Sequence, residues 1–153
     1  MPASLGDIIA YLTDNYPIKS ELSKARITKM VYLADWKSAQ RNKKQLSNIR
    51  WFFHNFGPYV DDVIDTARSD PRLKVTSGTN MYGDRKESID YIGTGEEGKK
   101  MSIDEKKILD EVISETRSLY WQEFIKLVYS TPPIKNSNRY TYLDLIEAAK
   151  VEA

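Results

Sequence analysis

Three groups of residues in this sequence could carry chemistry. His54 is the only histidine, and Asp61, Asp62 and Asp65 follow it closely. A histidine near carboxylates can serve as a general acid or base, provided a partner positions it. No serine nucleophile elbow accompanies His54, and a zinc site would need further nitrogen or sulfur ligands. The acids sit where a helix is expected to start, and there they complement the helix dipole. The reading is therefore no catalytic residue and no metal ligand, with His54 in a structural or contact role.

The second group is Gly93-Thr94-Gly95-Glu96-Glu97-Gly98, which fits the G-x-G-x-x-G pattern of dinucleotide sites. Such a site needs glycines close to a helix N-terminus, whose N–H groups hold the pyrophosphate. Here the next helix is expected to start only at Ser102, two glutamates inside the loop would repel phosphate, and no βαβ unit follows. A flexible connector is the expectation, and no cofactor.

The third group is aromatic. Trp51, Phe52, Phe53, Phe56 and Tyr59 crowd one stretch that includes Gly57-Pro58. Packing into a core accounts for most such side chains. Any left exposed beside a rigid Gly-Pro bend would suit a protein-contact hot spot. The chain holds ten tyrosines and three tryptophans, residues that bury large area while keeping a polar handle.

The elements that must position these residues are mostly helical. Leu5, Ile8, Ile9 and Leu12 mark one helix face, with Ser4 and Asp7 as a capping-box start. Tyr16-Pro17 breaks it. A second helix runs from about Glu21 through Ile27, Met30, Val31, Ala34 and Trp36 to the polar stretch Arg41–Gln45. The stretch from Ile49 to Phe56 fits either an extended segment or a helical turn. Pro58 suits the first position of a third helix, with Val60, Val63, Ile64 and Ala67 buried and Ser69-Asp70-Pro71 as its stop. Leu73–Thr76 and Ser88–Ile92 alternate as a hairpin around Gly78, Asn80 and Gly83-Asp84. Ser102 and Glu105 cap a helix bearing Ile108, Leu109, Val112 and Ile113. After Arg117-Ser118 comes a helix with Trp121, Phe124, Ile125 and Val128, ended by Thr131-Pro132-Pro133. Lys135–Arg139 reads as a polar loop, and a last helix carries Leu143, Ile146 and Ala149.

The expected fold is α+β and mainly α, with five or six helices and one β-hairpin in a single domain over residues 1–153. The two helices flanking Arg117-Ser118, with the hairpin nearby, leave a winged-helix DNA-binding regulator as the alternative. Its recognition helix would present Gln122 and Lys126, but also Glu123 and a heavy apolar load.

Composition narrows the function classes. The formal net charge is +1, without the basic excess usual in a dedicated nucleic-acid binder. There is no cysteine, so disulfides, thiolate metal sites and cysteine nucleophiles are excluded. The N-terminus reads as no signal peptide and no apolar run is long enough to span a bilayer, so a cytoplasmic location is expected and no membrane partner.

Two segments carry a family likeness. Lys29-Met30-Val31-Tyr32-Leu33-Ala34-Asp35-Trp36 resembles the K-L-x-Y-x-A-x-x-W/H helix of the Panacea (SocA-like) antitoxin domain family. Trp51-Phe52-Phe53-His54-Asn55-Phe56-Gly57-Pro58-Tyr59-Val60 resembles that family's aromatic stretch ending in Y/F-G-P-x-V, at a similar spacing. The likeness runs over about residues 5 to 133. The chain departs from the family near the final turn, where members often carry a histidine and Pro-Trp and this chain reads Tyr129-Ser130-Thr131-Pro132-Pro133-Ile134.

The resemblance implies an antitoxin that neutralises its cognate protein toxin by direct binding, in one branch as an adaptor that hands the toxin to a protease. It implies no enzyme activity. The candidate partner-contact residues are Trp36, Trp51, Phe53, His54, Asn55 and Tyr59. A homo-oligomer is left open.

Overall fold

A computed structural model describes residues 4–79, 83, 85–94 and 100–152 of the chain. Seven α-helices, one 3-10 turn and two antiparallel strand pairs are seen among the described residues. The fold is α+β and mainly α, as expected.

Helix α1 (Leu5–Asn15) starts with a true capping box. The Ser4 hydroxyl accepts from the Asp7 N–H at 3.1 Å, and the Asp7 carboxylate accepts from the Ser4 N–H at 3.3 Å. Its apolar face, Ile8, Ile9 and Leu12, is fully buried. The expected start of the second helix near Glu21 is instead a 3-10 turn, Lys19–Glu21. Helix α2 (Lys24–Asn42) begins at Ser23, whose hydroxyl accepts from the Arg26 N–H at 3.1 Å. It ends at Lys43 in the left-handed conformation, φ 59°. Burial on nearly every face makes α2 the axis of the fold. Helices α1, α3 (Asp62–Ser69), α4 (Ile103–Thr116) and α7 (Leu145–Glu152) all pack on it.

The stretch around Trp51 is extended. Strand β1 (Phe52–His54) pairs with β2 (Gly57–Tyr59) in the register Phe52 to Tyr59, Phe53 to Pro58 and His54 to Gly57. Pro58 therefore lies in a strand, and α3 begins only at Asp62. The reason lies in the ladder. Phe53 directs its N–H to Thr141 O (2.9 Å) and accepts from the Tyr140 N–H (2.6 Å), both on the far side of β1. Pro58, opposite Phe53, thus has no ladder bond to lose. The Leu143 N–H donates to Trp51 O at 2.9 Å, so residues 140–143 run along β1 like a third short strand.

The expected hairpin forms and is longer than the sequence pattern indicates. Strand β3 (Leu73–Thr79) pairs with β4 (Arg85–Tyr91), with Leu73 opposite Tyr91. Ile89, fully buried, turns this hairpin's inner face toward the helices. Asn80 and Asp84 of its loop lie outside the described residues, as does most of the glycine-rich connector, residues 95–99.

Helix α4 carries the second capping box, Ser102 with Glu105. Helix α5 (Trp121–Tyr129) buries Phe124 and Val128. Pro132–Lys135 forms a single helical turn, α6. The buried apolar residues form one cluster, with contributions from α1 through α7, Trp51 and β4.

Candidate protein-contact surface

The aromatic stretch is held from below by a buried carboxylate. Asp35, on α2, has no solvent exposure. It accepts from the Trp51 indole N–H (2.8 Å), the Ser47 N–H (2.9 Å), the Ser47 hydroxyl (2.5 Å) and the Gln45 amide (3.3 Å). Burial pushes its carboxyl up to about 6, while the bonds from Ser47 and Trp51 pull the other way. The Trp51 ring meets Tyr32 edge-on at 5.5 Å, and the Tyr32 hydroxyl bonds the Thr131 hydroxyl at 2.7 Å. Two residues on α2, Asp35 and Tyr32, the second tied to Thr131 in the α5–α6 turn, therefore fix where β1 starts.

This anchoring sorts the six sequence candidates into two layers. Trp36, Trp51 and Phe53 are buried. Trp51 spends its indole N–H on Asp35, and Phe53 packs edge-on against Tyr129 at 6.1 Å. In this chain they position the surface from beneath. His54, Asn55 and Tyr59 reach the surface, with Tyr59 half-buried.

His54 stands at the centre of the outer layer. Its ring lies 6.0 Å from Phe52, 6.3 Å from Tyr59 and 6.2 Å from Tyr140, each edge-on. Its Nδ1 accepts from the Asn55 N–H at 2.9 Å. The Asn55 side-chain oxygen accepts from the Tyr140 hydroxyl, and its carbonyl accepts from Arg139 Nε at 3.2 Å. The Tyr59 hydroxyl donates to Asp61 at 3.1 Å, and burial raises its pKa.

Four further rings join this surface. Phe56, at the tip of the β1–β2 turn, is 81% exposed, Tyr140 62% and Tyr142 56%. Phe52 meets Tyr142 at 5.1 Å, and the Arg50 guanidinium lies 3.6 Å over the Tyr142 ring. A hollow of about 460 Å³ opens among Phe52, His54, Tyr59 and Tyr142, with Arg50, Asp61 and Asp62 on its walls. Sequence reading missed Tyr140 and Tyr142, which follow a segment read as polar loop. The alternation Tyr140-Thr141-Tyr142 was the available signal, a period of two at the edge of a sheet.

The acids near His54 have ordinary structural partners. Asp62 and Asp65 lie in the first turn of α3, and Asp65 faces Arg68 at 4.0 Å. Among the described residues, no three histidine or acidic side chains converge as a metal site would require. A larger hollow, about 970 Å³, lies elsewhere, between the C-terminal end of α2, the loop 44–49 and the start of α4. Its lining mixes polar residues with Leu46, Ile49 and Ile146, and it shares none of the outer rings. No described helix is long and apolar enough to cross a membrane.

No curated protein and no solved structure matches the chain significantly. The family model described as "Antitoxin SocA-like, Panacea domain" matches residues 27–133, well over half of the chain. The matched span contains α2 from Ile27 onward, both strand pairs and α3 to α5. It also contains the buried Asp35–Trp51 anchor and the stretch from Trp51 to Tyr59. By that match, this chain belongs to the SocA-like Panacea antitoxin domain family.

Proposed function

We propose that the chain is an antitoxin that neutralises a cognate protein toxin by binding it through the outer ring layer. The observation that carries this reading is the set of exposed rings on one short sheet: Phe56 at the β1–β2 turn, and Tyr140 and Tyr142 on the segment laddered to β1, with Tyr140 against His54 and Tyr142 against Phe52. Rings fixed in advance lose little conformational freedom on binding, and such aromatic residues dominate interface energies. Family membership supports a binding role in preference to a catalytic one. The whole of residues 1–153 acts as one domain in this reading, working in the cytoplasm. The mechanism is occlusion of a toxin surface; delivery of the toxin to a protease is the variant of the same binding event.

Co-expression tests it. The gene beside this one would be induced alone and together with this chain, and growth followed. Arrest by the neighbour, rescue by this chain and co-purification of the two are expected. A harmless neighbour with no co-purifying protein contradicts the reading. A protease-dependent fall in toxin level would select the adaptor variant over occlusion.

A further inference from the structure

A second hollow, about 560 Å³, lies on a different part of the surface. Its walls are the 3-10 turn, the first turn of α2, β4 and the first residue of α5. Lys24, Arg26 and Lys86 line it, against Glu21 and Glu87. Both acids are already engaged. Glu21 accepts from the Tyr16 hydroxyl at 3.0 Å and lies 3.7 Å from Arg26, while Glu87 bridges Lys24 and Arg68.

Arg26, which lines this hollow, has one donor unmet, and Lys29, outside its lining, is buried beside Trp121. Arg26 is 2% exposed; its Nη2 donates to Tyr16 and to the carbonyls of Thr116 and Leu119, but its Nε has no acceptor. Lys29 is 3% exposed and sits one turn further along α2. Its ammonium lies 5.9 Å from the Trp121 ring, and no carboxylate pairs with it among the described residues. Burial lowers its pKa to about 8 with no opposing charge, which still leaves it mostly protonated at neutral pH. A buried cation without a counter-ion is costly, and an incoming anion relieves that cost.

The rim has the same polarity. Helix α5 starts at Trp121, and its N-cap, Tyr120, provides no side-chain acceptor for the first-turn N–H groups. Those groups form the positive end of the helix dipole. Trp121, which lines the hollow, is 45% exposed, and the Tyr120 N-cap before it is 78% exposed. Lys86 is exposed and makes no ion pair among the described residues.

We propose that this groove is a second docking site, which receives an aspartate or glutamate from an acidic segment of the bound protein. The proposal rests on the protein-binding reading above and uses residues separate from the ring layer. A peptide carboxylate fits better than a nucleic acid. Two glutamates in the walls would repel a polyphosphate, and the chain as a whole has a net charge of only +1.

The test is a fluorescence-anisotropy titration of the full chain with a fluorescein-labelled oligoglutamate peptide at low salt. Saturable binding is expected, weakening as salt rises and about tenfold weaker in Lys86→Glu and in Lys29→Met, the loss of one charge-assisted contact. Lys29 is buried, so if Lys29→Met does not fold, the surface variant Lys86→Glu decides. Absence of saturable binding overturns the proposal, as does equal affinity in Lys86→Glu. Stronger competition by a single-stranded oligonucleotide than by unlabelled peptide overturns it too, and assigns the groove to nucleic acid. Tyr142→Ala separates the two readings, because it removes toxin rescue if the ring layer is the toxin contact and leaves peptide binding in place.

Discussion

At the scale of single residues, Asp35 and Trp51 decide whether the outer rings are held in place. Trp51→Phe removes one donor from a buried carboxylate and leaves a small void, so a loss of about 2–4 kcal/mol is expected in urea unfolding. Asp35 also gives stability a recognisable pH dependence. Its folded pKa, about 6, lies above its ordinary 3.8, so between those values the folded state holds more protons than the unfolded one. Its contribution therefore declines as pH rises from about 4 to 6. Subtracting the profile of Asp35→Asn, which has no carboxyl to titrate, isolates this slope from those of Asp7, Asp70 and Glu87, whose pKa values are lowered. A flat difference profile across that window would show that Asp35 does not titrate there. The sequence shows an acid in a helix next to Trp36. Its burial was hidden, because the loop residues that satisfy it, Gln45 and Ser47, read only as polar.

At the scale of elements, the β1–β2 hairpin presents the rings, and Gly57 sets its bend. Gly57 has φ 102°, and a Cβ there would meet the Tyr129 ring at 3.3 Å. Gly57→Ala should cost about 1–3 kcal/mol and weaken partner binding beyond what the stability loss explains, because the bend that aims His54 and Phe56 shifts. Thermal melts alongside co-purification would separate the two effects. The starts of α1 and α4 were the most legible features, since Ser4 with Asp7 and Ser102 with Glu105 name their own caps. The Gly57-Pro58 pair misled, because proline suits both a helix's first turn and a strand position without a ladder bond. Only pairing of β1 with residues 140–143, remote in sequence, decides between them. The same remoteness explains why Trp51 and Phe56, alike in the sequence, end one fully buried and the other 81% exposed.

For the whole molecule, the core extends past the family-matched span. Helices α1 and α7 both pack on α2, and Ile8, Ile9, Leu12 and Ala149 belong to the common buried cluster. Burial of each of the three large α1 side chains is worth about 2 kcal/mol. A fragment of residues 27–133 should therefore lose cooperative unfolding and aggregate, with calorimetry and light scattering as the readouts. A sharp, monomeric melt from that fragment would show that the flanking helices are accessories.

The central claim is that the outer rings bind the toxin, and the affinity of the purified pair tests it most directly. Phe56→Ala and Tyr142→Ala sit on exposed side chains and should fold as the parent does. If the rings are the contact, each variant binds the toxin at least tenfold more weakly, as measured by calorimetric titration, and the double variant fails to restore growth. Parent-like affinity in both variants, with the fold intact, would contradict the account and place the toxin contact elsewhere on the molecule.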